Sequence, residues 1–266
     1  MAMDAARPVL LTGAAGALGR GLARGLAEAG VPLVLTDIAP FPGPLPPGAR
    51  FEAADLADGA AVARLAAGCR AILHFGGVSV ERPFEEVLGP NIAGLFHVYE
   101  AARRAGARVL FASSNHAIGF HERSARLDAA CELRPDGFYG LSKAYGELMG
   151  RLYWDKHGVE SLVVRIGSCF PRPVDARMLS TWLSAADLLR LCQAMLAAPE
   201  LGYARVWGAS DNPASFWGAD DRQRLGWAPR DTAEAFRAEV GHLRSDDPVA
   251  ERFQGGAFCA QGWSRG

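Results

Sequence analysis

A glycine-rich turn near the start of the chain constrains its fold more than any other feature. Val9–Thr12 is a short apolar run that reads as a buried strand, and Gly13-Ala14-Ala15-Gly16-Ala17-Leu18-Gly19 follows it. Leu18, Leu22, Leu26 and Ala29 then recur at helical spacing, and Gly30 ends the helix. Val31–Thr36 is a second apolar run, closed by Asp37. Strand, glycine turn, helix and strand make a βαβ unit, which commits the chain to a parallel sheet.

The pattern continues. Phe51–Ala54 reads as a strand before Asp55, Asp58–Ala67 as a helix, and Ala71–Phe75 as a buried strand ending in Gly76-Gly77. A long helix is expected from Phe84 to Ala105 with an interruption near Gly89-Pro90, then a strand over Arg108–Ser113. Asp136–His157 reads as a second long helix, with Tyr145, Leu148 and Leu152 as its apolar stripe. Leu162–Ile166 and Tyr203–Trp207 are expected strands, Ser184–Ala197 and Asp231–Val240 expected helices, and Pro40–Gly48 and Pro171–Met178 loops. Strands alternating with helices predict an α/β fold, a doubly wound parallel sheet. One domain over 1–266 is expected, in which the part after about residue 168 adds a small C-terminal lobe. Ligands of such sheets sit at the carboxyl ends of the strands.

Charge narrows the partners. The 28 basic and 29 acidic side chains leave a net charge of −1 with no basic block, so no nucleic-acid partner is expected. Five cysteines are scattered, and no His/Cys spacing suggests a metal site, so a reducing cytoplasm and no metal are expected. Met1 to Pro8 is too short and polar for a signal peptide, and no apolar run is long enough for a bilayer, so no membrane partner is expected.

The polar residues fall at strand ends. Glycines in the turn let the backbone approach a pyrophosphate at the N-terminus of the next helix, which gives Gly13, Gly16, Ala17, Leu18 and Gly19 as a dinucleotide-binding set. Asp37 can accept from both adenosine ribose hydroxyls and would repel a 2′-phosphate, so NAD is favoured over NADP. Asp55 and Leu56 could reach the adenine; a capping role for Asp55 at the next helix explains it equally well. Tyr139 and Lys143 stand at i and i+4 on the second long helix and share a face. An ammonium and a cationic nicotinamide nearby are expected to lower the phenol pKa, which makes Tyr139 a general base. Ser113 and Ser114 end a strand; Ser114, deeper in the loop, is the candidate to hydrogen-bond the reacting oxygen.

The turn, Asp37, Asp55-Leu56, Gly76-Gly77, Asn91, Ser114 and Tyr139/Lys143 together resemble the extended short-chain dehydrogenase/reductase family. The resemblance implies an NAD-binding Rossmann fold. It gives Asn91 a structural or cofactor-proximal role, adds Gly76 and Gly77 to the cofactor set, and brings Lys143 to the nicotinamide ribose as well. A second set of strings is more specific: Ser113-Ser114-Asn115-His116, Arg165-Ile166-Gly167-Ser168-Cys169, Arg177-Met178-Leu179-Ser180-Thr181-Trp182, Val206-Trp207-Gly208-Ala209-Ser210 and Arg252-Phe253-Gln254-Gly255-Gly256. These are similar to the branch of that family that oxidises glucuronate and galacturonate to aldaric acid lactones with NAD. Ala17 departs from it, standing where a glutamine is expected, which puts one cofactor contact in doubt.

A uronic acid substrate needs hydroxyl-matching groups and one cation. Ser79, Asn115, His116 and Ser168, with Ser114 and Tyr139, fit the first need. Arg177 fits the second, with Arg172 on the same loop as its competitor. His116 could equally be a structural histidine, Ser79 a turn cap and Phe258 a packing residue or a cover for the site. Arg165, within a strand, is expected to form a structural ion pair. By family analogy a homo-oligomer paired through the long helices is expected. Two other functions share part of this pattern: a nucleotide-sugar epimerase or dehydratase, and a non-catalytic NAD-sensing protein, which would not need Ser114, Tyr139 and Lys143.

Overall fold

A computed structural model describes residues 5–265; the first four residues of the Met1 to Pro8 segment, and residue 266, lie outside it. Seven parallel strands form one sheet in the order β3-β2-β1-β4-β5-β6-β7. They are β1 (Val9–Thr12), β2 (Leu33–Thr36), β3 (Ala49–Phe51), β4 (Ala71–His74), β5 (Arg108–Ser114), β6 (Ser161–Ile166) and β7 (Tyr203–Gly208). The doubly wound parallel sheet read from the sequence is therefore present. The order of the strands reverses between β1 and β4, and that switch point opens a crevice at their carboxyl ends.

The sheet is buried on both faces, which is why its strands are continuous apolar runs rather than alternating ones. On one face Val9, Leu11, Leu110 and Val164 pack under α1 (Ala17–Glu28) and, further along the chain, the helix Ala185–Ala197. On the other, Leu10, Ile72, Val109 and Val163 meet α2 (Gly59–Ala66) and residues of the two long helical segments.

The first of those segments is broken where expected. A short α3 (Phe84–Val87) passes into a π-helical turn over Leu88–Ala93 and then into α4 (Gly94–Ala105). Pro90 has no N–H to give to the helical ladder, so the backbone widens around it. The second segment is α5 (Phe138–His157). Short α6 (Met178–Thr181) and the long α7 (Ala185–Ala197) follow, and then α8 (Arg237–Val240), α9 (Pro248–Arg252) and α10 (Ala257–Ala260). No helix of the described residues is long and apolar enough to cross a membrane.

Several local expectations need correction. The third strand is Ala49–Phe51 rather than Phe51–Ala54, because Ala49 to Phe51 pair with Leu33 to Leu35 of β2. Asp231–Val240 is a 3-10 turn over Ala233–Phe236 running into α8; Thr232 caps that turn, and Asp231 is held by Ser184 and Arg190. Leu148 and Leu152 are 61% and 52% exposed, so of the expected stripe on α5 only Tyr145 packs against the core. The buried face carries Tyr139, Lys143, Glu147 and the glycines Gly140, Gly146 and Gly150.

Glu147 explains this choice of face. It is buried and accepts from Arg165 through Nε at 2.9 Å and Nη2 at 2.8 Å, and from Ser113 Oγ at 2.7 Å. Arg165, as expected, is structural: it is fully buried and also lies over the ring of Trp207. A buried pair satisfied in this way is costly to break from one side, by about 3–5 kcal/mol. Glu147→Ala should lose stability of about that size in urea unfolding, whereas Arg172→Ala, which breaks only the exposed pair with Glu239, should cost no more than about 1 kcal/mol. Equal losses would mean that the α5–β6 pair does not anchor the helix.

Candidate active site

The carboxyl ends of β1, β2 and β4 surround a cavity of about 650 Å³. Its floor is the glycine turn. Gly13 has φ +72°, and a Cβ there would lie 2.6 Å from the carbonyl carbon and oxygen of Phe75, so only glycine lets β1 turn this close to β4. Gly16 caps α1 without a side-chain bond, and the first turn of that helix holds no acid. Its N–H groups and dipole therefore face the cavity as an anion site. Gly19, Leu18 and Ala17 line the same mouth; Ala17 is exposed and offers only a methyl group.

Asp37 stands across from the turn at the end of β2. Its Oδ2 accepts from Ala15 N at 3.0 Å and its Oδ1 from Ala39 N at 3.2 Å. Asp55 and Leu56 line the cavity too. Asp55 does not cap α2: Asp58 does, accepting from Ala60 and Ala61, while Asp55 accepts from Ala57 in the preceding turn.

Gly76, Gly77, Val78, Ser79 and Pro90 close the far wall. Gly77 has φ +113°, and a Cβ there would lie 2.5 Å from Oδ1 of Asn91. Asn91 accepts from Val78 N at 2.8 Å and donates to Val78 O and to Ser142 Oγ, both at 2.9 Å. Its amide thus ties this wall to α5 and is used up in doing so.

Beyond the cavity, β5 ends at Ser114, whose Oγ accepts from His116 N. Tyr139 is buried, with the Ser114 hydroxyl beside its phenol. The Lys143 ammonium lies 5.4 Å from the centre of the Tyr139 ring and donates to Ala112 O at 2.8 Å. Burial pushes the Tyr139 phenol up to about 12, against the Ser114 hydrogen bond and with help from Asp136. Burial also pulls Lys143 down to about 8. The protein alone therefore opposes the phenolate, and the lowering expected from the sequence has to come from the ammonium together with a cationic nicotinamide. Desolvation outweighs an ammonium already turned to a carbonyl.

Asn115 and His116 follow Ser114 directly. Asn115 is buried, and its Nδ2 has no hydrogen-bond partner among the described residues. The ring of His116 meets that of Tyr139 edge-on at 5.7 Å and stacks on Phe258 at 3.9 Å. Phe258, on α10, therefore lies over this end of the site. Arg177 donates from Nη1 to Gln254 O at 3.0 Å, and burial lowers its pKa. Arg172, its competitor, is exposed and paired with Glu239. Ser168 is buried, and its hydroxyl pairs with that of Thr181 at 2.9 Å. Ser79 is exposed at the cavity wall.

Residues 9–188 match the NAD dependent epimerase/dehydratase family. The uronate dehydrogenase of Pseudomonas syringae pv. tomato is 51% identical over 96% of this chain and 94% of its own. The chain belongs to this family, and within it to the uronate dehydrogenases. Among solved structures, a tyrosine-to-alanine variant of uronate dehydrogenase from Agrobacterium tumefaciens, complexed with NAD, is 47% identical with a TM-score of 0.90, over 96% of this chain and 97% of that one. The glucuronic acid dehydrogenase of Chromohalobacter salexigens is 45% identical with the same TM-score and the same coverage.

Two acids of this uronate dehydrogenase fold escaped the sequence reading. Glu81 accepts from the backbone N–H groups of Phe138 and Tyr139 at 2.8 and 2.9 Å and so caps α5 from the loop after Ser79. Asp136 is buried against His116. Each acts on a residue far away in the chain, and no local spacing marks it. Glu81 lies 57 residues before the first N–H it holds.

Asp37 sets the cofactor prediction. Its carboxylate hangs over the turn, where a 2′-phosphate would meet it at close range. kcat/KM should be far higher with NAD than with NADP, and Asp37→Ala should narrow the gap. Equal values in the unsubstituted protein would contradict this role.

Proposed function

We propose that the chain oxidises hexuronates, D-glucuronate and D-galacturonate, at C1 of the pyranose to the aldaric acid 1,5-lactone, with NAD as acceptor. The observation that carries this reading is the near-50% identity to uronate dehydrogenases along almost the whole chain. The fit of the site supports it. The glycine turn and the α1 N-terminus suit a pyrophosphate, Asp37 suits ribose hydroxyls, and the Leu56 wall suits an adenine. Gly76 and Gly77 line the cavity where the rest of the dinucleotide would lie, and Lys143 would hold the nicotinamide ribose, as the family resemblance implies.

Bound in this cavity, NAD supplies the hydride acceptor and a positive charge beside the phenol. Tyr139 takes the proton of the C1 hydroxyl, and Ser114 hydrogen-bonds the same oxygen. Lys143 favours the phenolate electrostatically. Arg177 pairs with the substrate carboxylate, and Asn115, His116, Ser168 and Ser79 face the hydroxyls. Holding both ends of the sugar fixes which face of C1 meets the cofactor. Oxidising a ring hemiacetal gives a lactone without attack by water, so no hydrolytic group is required.

The residues after 168, with α6 and α10, form the substrate-binding lobe of this one domain. The partner is a second copy of the chain. Phe96 on α4 and Leu141, Leu148 and Leu152 on α5 leave an apolar surface of the kind that pairs helices. All five cysteines are unpaired, which suits the cytoplasm.

A panel of sugars tests the substrate class. Glucuronate and galacturonate should reduce NAD, whereas glucose and galactose, which lack the carboxylate, should react poorly. Arg177→Ala should raise KM for the uronates by an amount worth roughly 2–5 kcal/mol, with NAD affinity unchanged. Turnover of the neutral sugars equal to that of the uronates would remove the carboxylate from the recognition.

A further inference from the structure

The substrate end holds a buried acid that the reaction as described does not use. Asp136 precedes α5, and its side chain is fully sealed from solvent, while the His116 side chain is 12% exposed. Oδ2 lies 2.7 Å from Nδ1 of His116. Oδ1 has no hydrogen-bond partner among the described residues. The carboxylate is walled in by backbone of two other segments and of the first turn of α5. A methyl group added at Gly119 or Gly255 would collide with it, and one at Gly140 would lie 2.8 Å from Oδ1. The thiol of Cys259 closes the remaining side at 3.8 Å from Oδ2.

A charge-bearing group in so tight an enclosure is costly unless its one strong contact matters. That contact is the imidazole. A carboxylate only accepts, so Nδ1 of His116 must donate, and in the neutral ring Nε2 keeps its lone pair. Phe258 stacks on the ring at an interplanar angle of 18°, and Tyr139 meets it edge-on, so the ring cannot easily turn to exchange its nitrogens. Asp136 is also felt beyond His116: its charge raises the pKa of Tyr139 and opposes the lowering at Arg177.

We infer that Asp136 is a positioning residue for the substrate: it locks His116 in the Nδ1–H tautomer, so that Nε2 accepts a hydrogen bond from a hydroxyl of the sugar ring. The sugar must then present an O–H donor at that position. This deepens the reading of the site as a uronate site and rests on it for the identity of the ligand. The tautomer itself does not depend on that reading.

Two measurements test it. Long-range 15N–1H correlation NMR of the full chain without substrate, with His116 assigned by the loss of its signals in His116→Gln, should show the proton on Nδ1. A proton on Nε2, alone or together with one on Nδ1, overturns the inference, whatever the protein oxidises. Steady-state kinetics with D-glucuronate supply the second. Asp136→Asn should raise KM about tenfold, as for a lost buried hydrogen-bond partner, with kcat changed much less and the Kd for NAD unaltered. In a His116→Gln background the same substitution should add nothing further. An unchanged KM, or additive losses, would show that Asp136 does not act through His116. Should Asp136→Asn fail to fold, the tautomer in the unsubstituted protein still decides.

Discussion

The polar seam between α5 and β5 organises this molecule. Tyr139, Lys143 and Glu147 recur every four residues on one face of α5, and each meets the strand beside it or the loop that leaves it. Tyr139 lies beside Ser114, Lys143 is bonded to Ala112 O, and Glu147 to Ser113 and, on β6, to Arg165. Gly146 lets this face approach closely, since a methyl group there would collide with Phe111. The depth of the seam gives its members different work. Glu147, at the buried end, is matched by a buried guanidinium and fixes the helix. Lys143, in the middle, has a lowered pKa because burial disfavours its charge. Tyr139, at the open end, is the member that reaches a substrate in the proposed reaction.

The other parts of the site are hung from this seam. Asn91 joins the wall of the dinucleotide cavity to Ser142 on α5, and Glu81 caps the same helix from the loop beyond Ser79. The cavity that suits NAD and the residues around Tyr139 are therefore one mechanical unit. On the far side, Phe258 and the carbonyl of Gln254 reach His116 and Arg177 from the C-terminal segment. The proposed sugar-acid site thus draws on residues more than a hundred positions apart.

What could be read from the sequence followed from local spacing. The glycine turn, Asp37 and the Tyr139/Lys143 pair are each defined within a few residues, and strands and helices alternate along the chain except between β2 and β3. Longer-range matters were out of reach. Apolar periodicity located a stripe on α5 but not its direction, because the core side is set by Glu147 meeting Arg165 on another strand. Asp136 and Glu81 carry no motif, since their partners come from other segments. Spacing reveals a neighbouring charge at Tyr139 but not the burial, which by itself raises its phenol. Arg172 and Arg177 are alike as sequence; only the structure separates an exposed ion pair from a half-buried cation held by a backbone carbonyl.

The central claim is that the ring form of a uronate is oxidised at C1, with Tyr139 and Ser114 at the hydroxyl and Arg177 at the carboxylate. Direct attack on the hemiacetal leaves a distinct chemical trace. Early-time 13C NMR of the reaction with C1-labelled D-glucuronate and NAD should show the aldaric 1,5-lactone as the first product, with ring-opened or rearranged forms appearing later. Open-chain aldarate appearing first, with no lactone before it, would contradict the account.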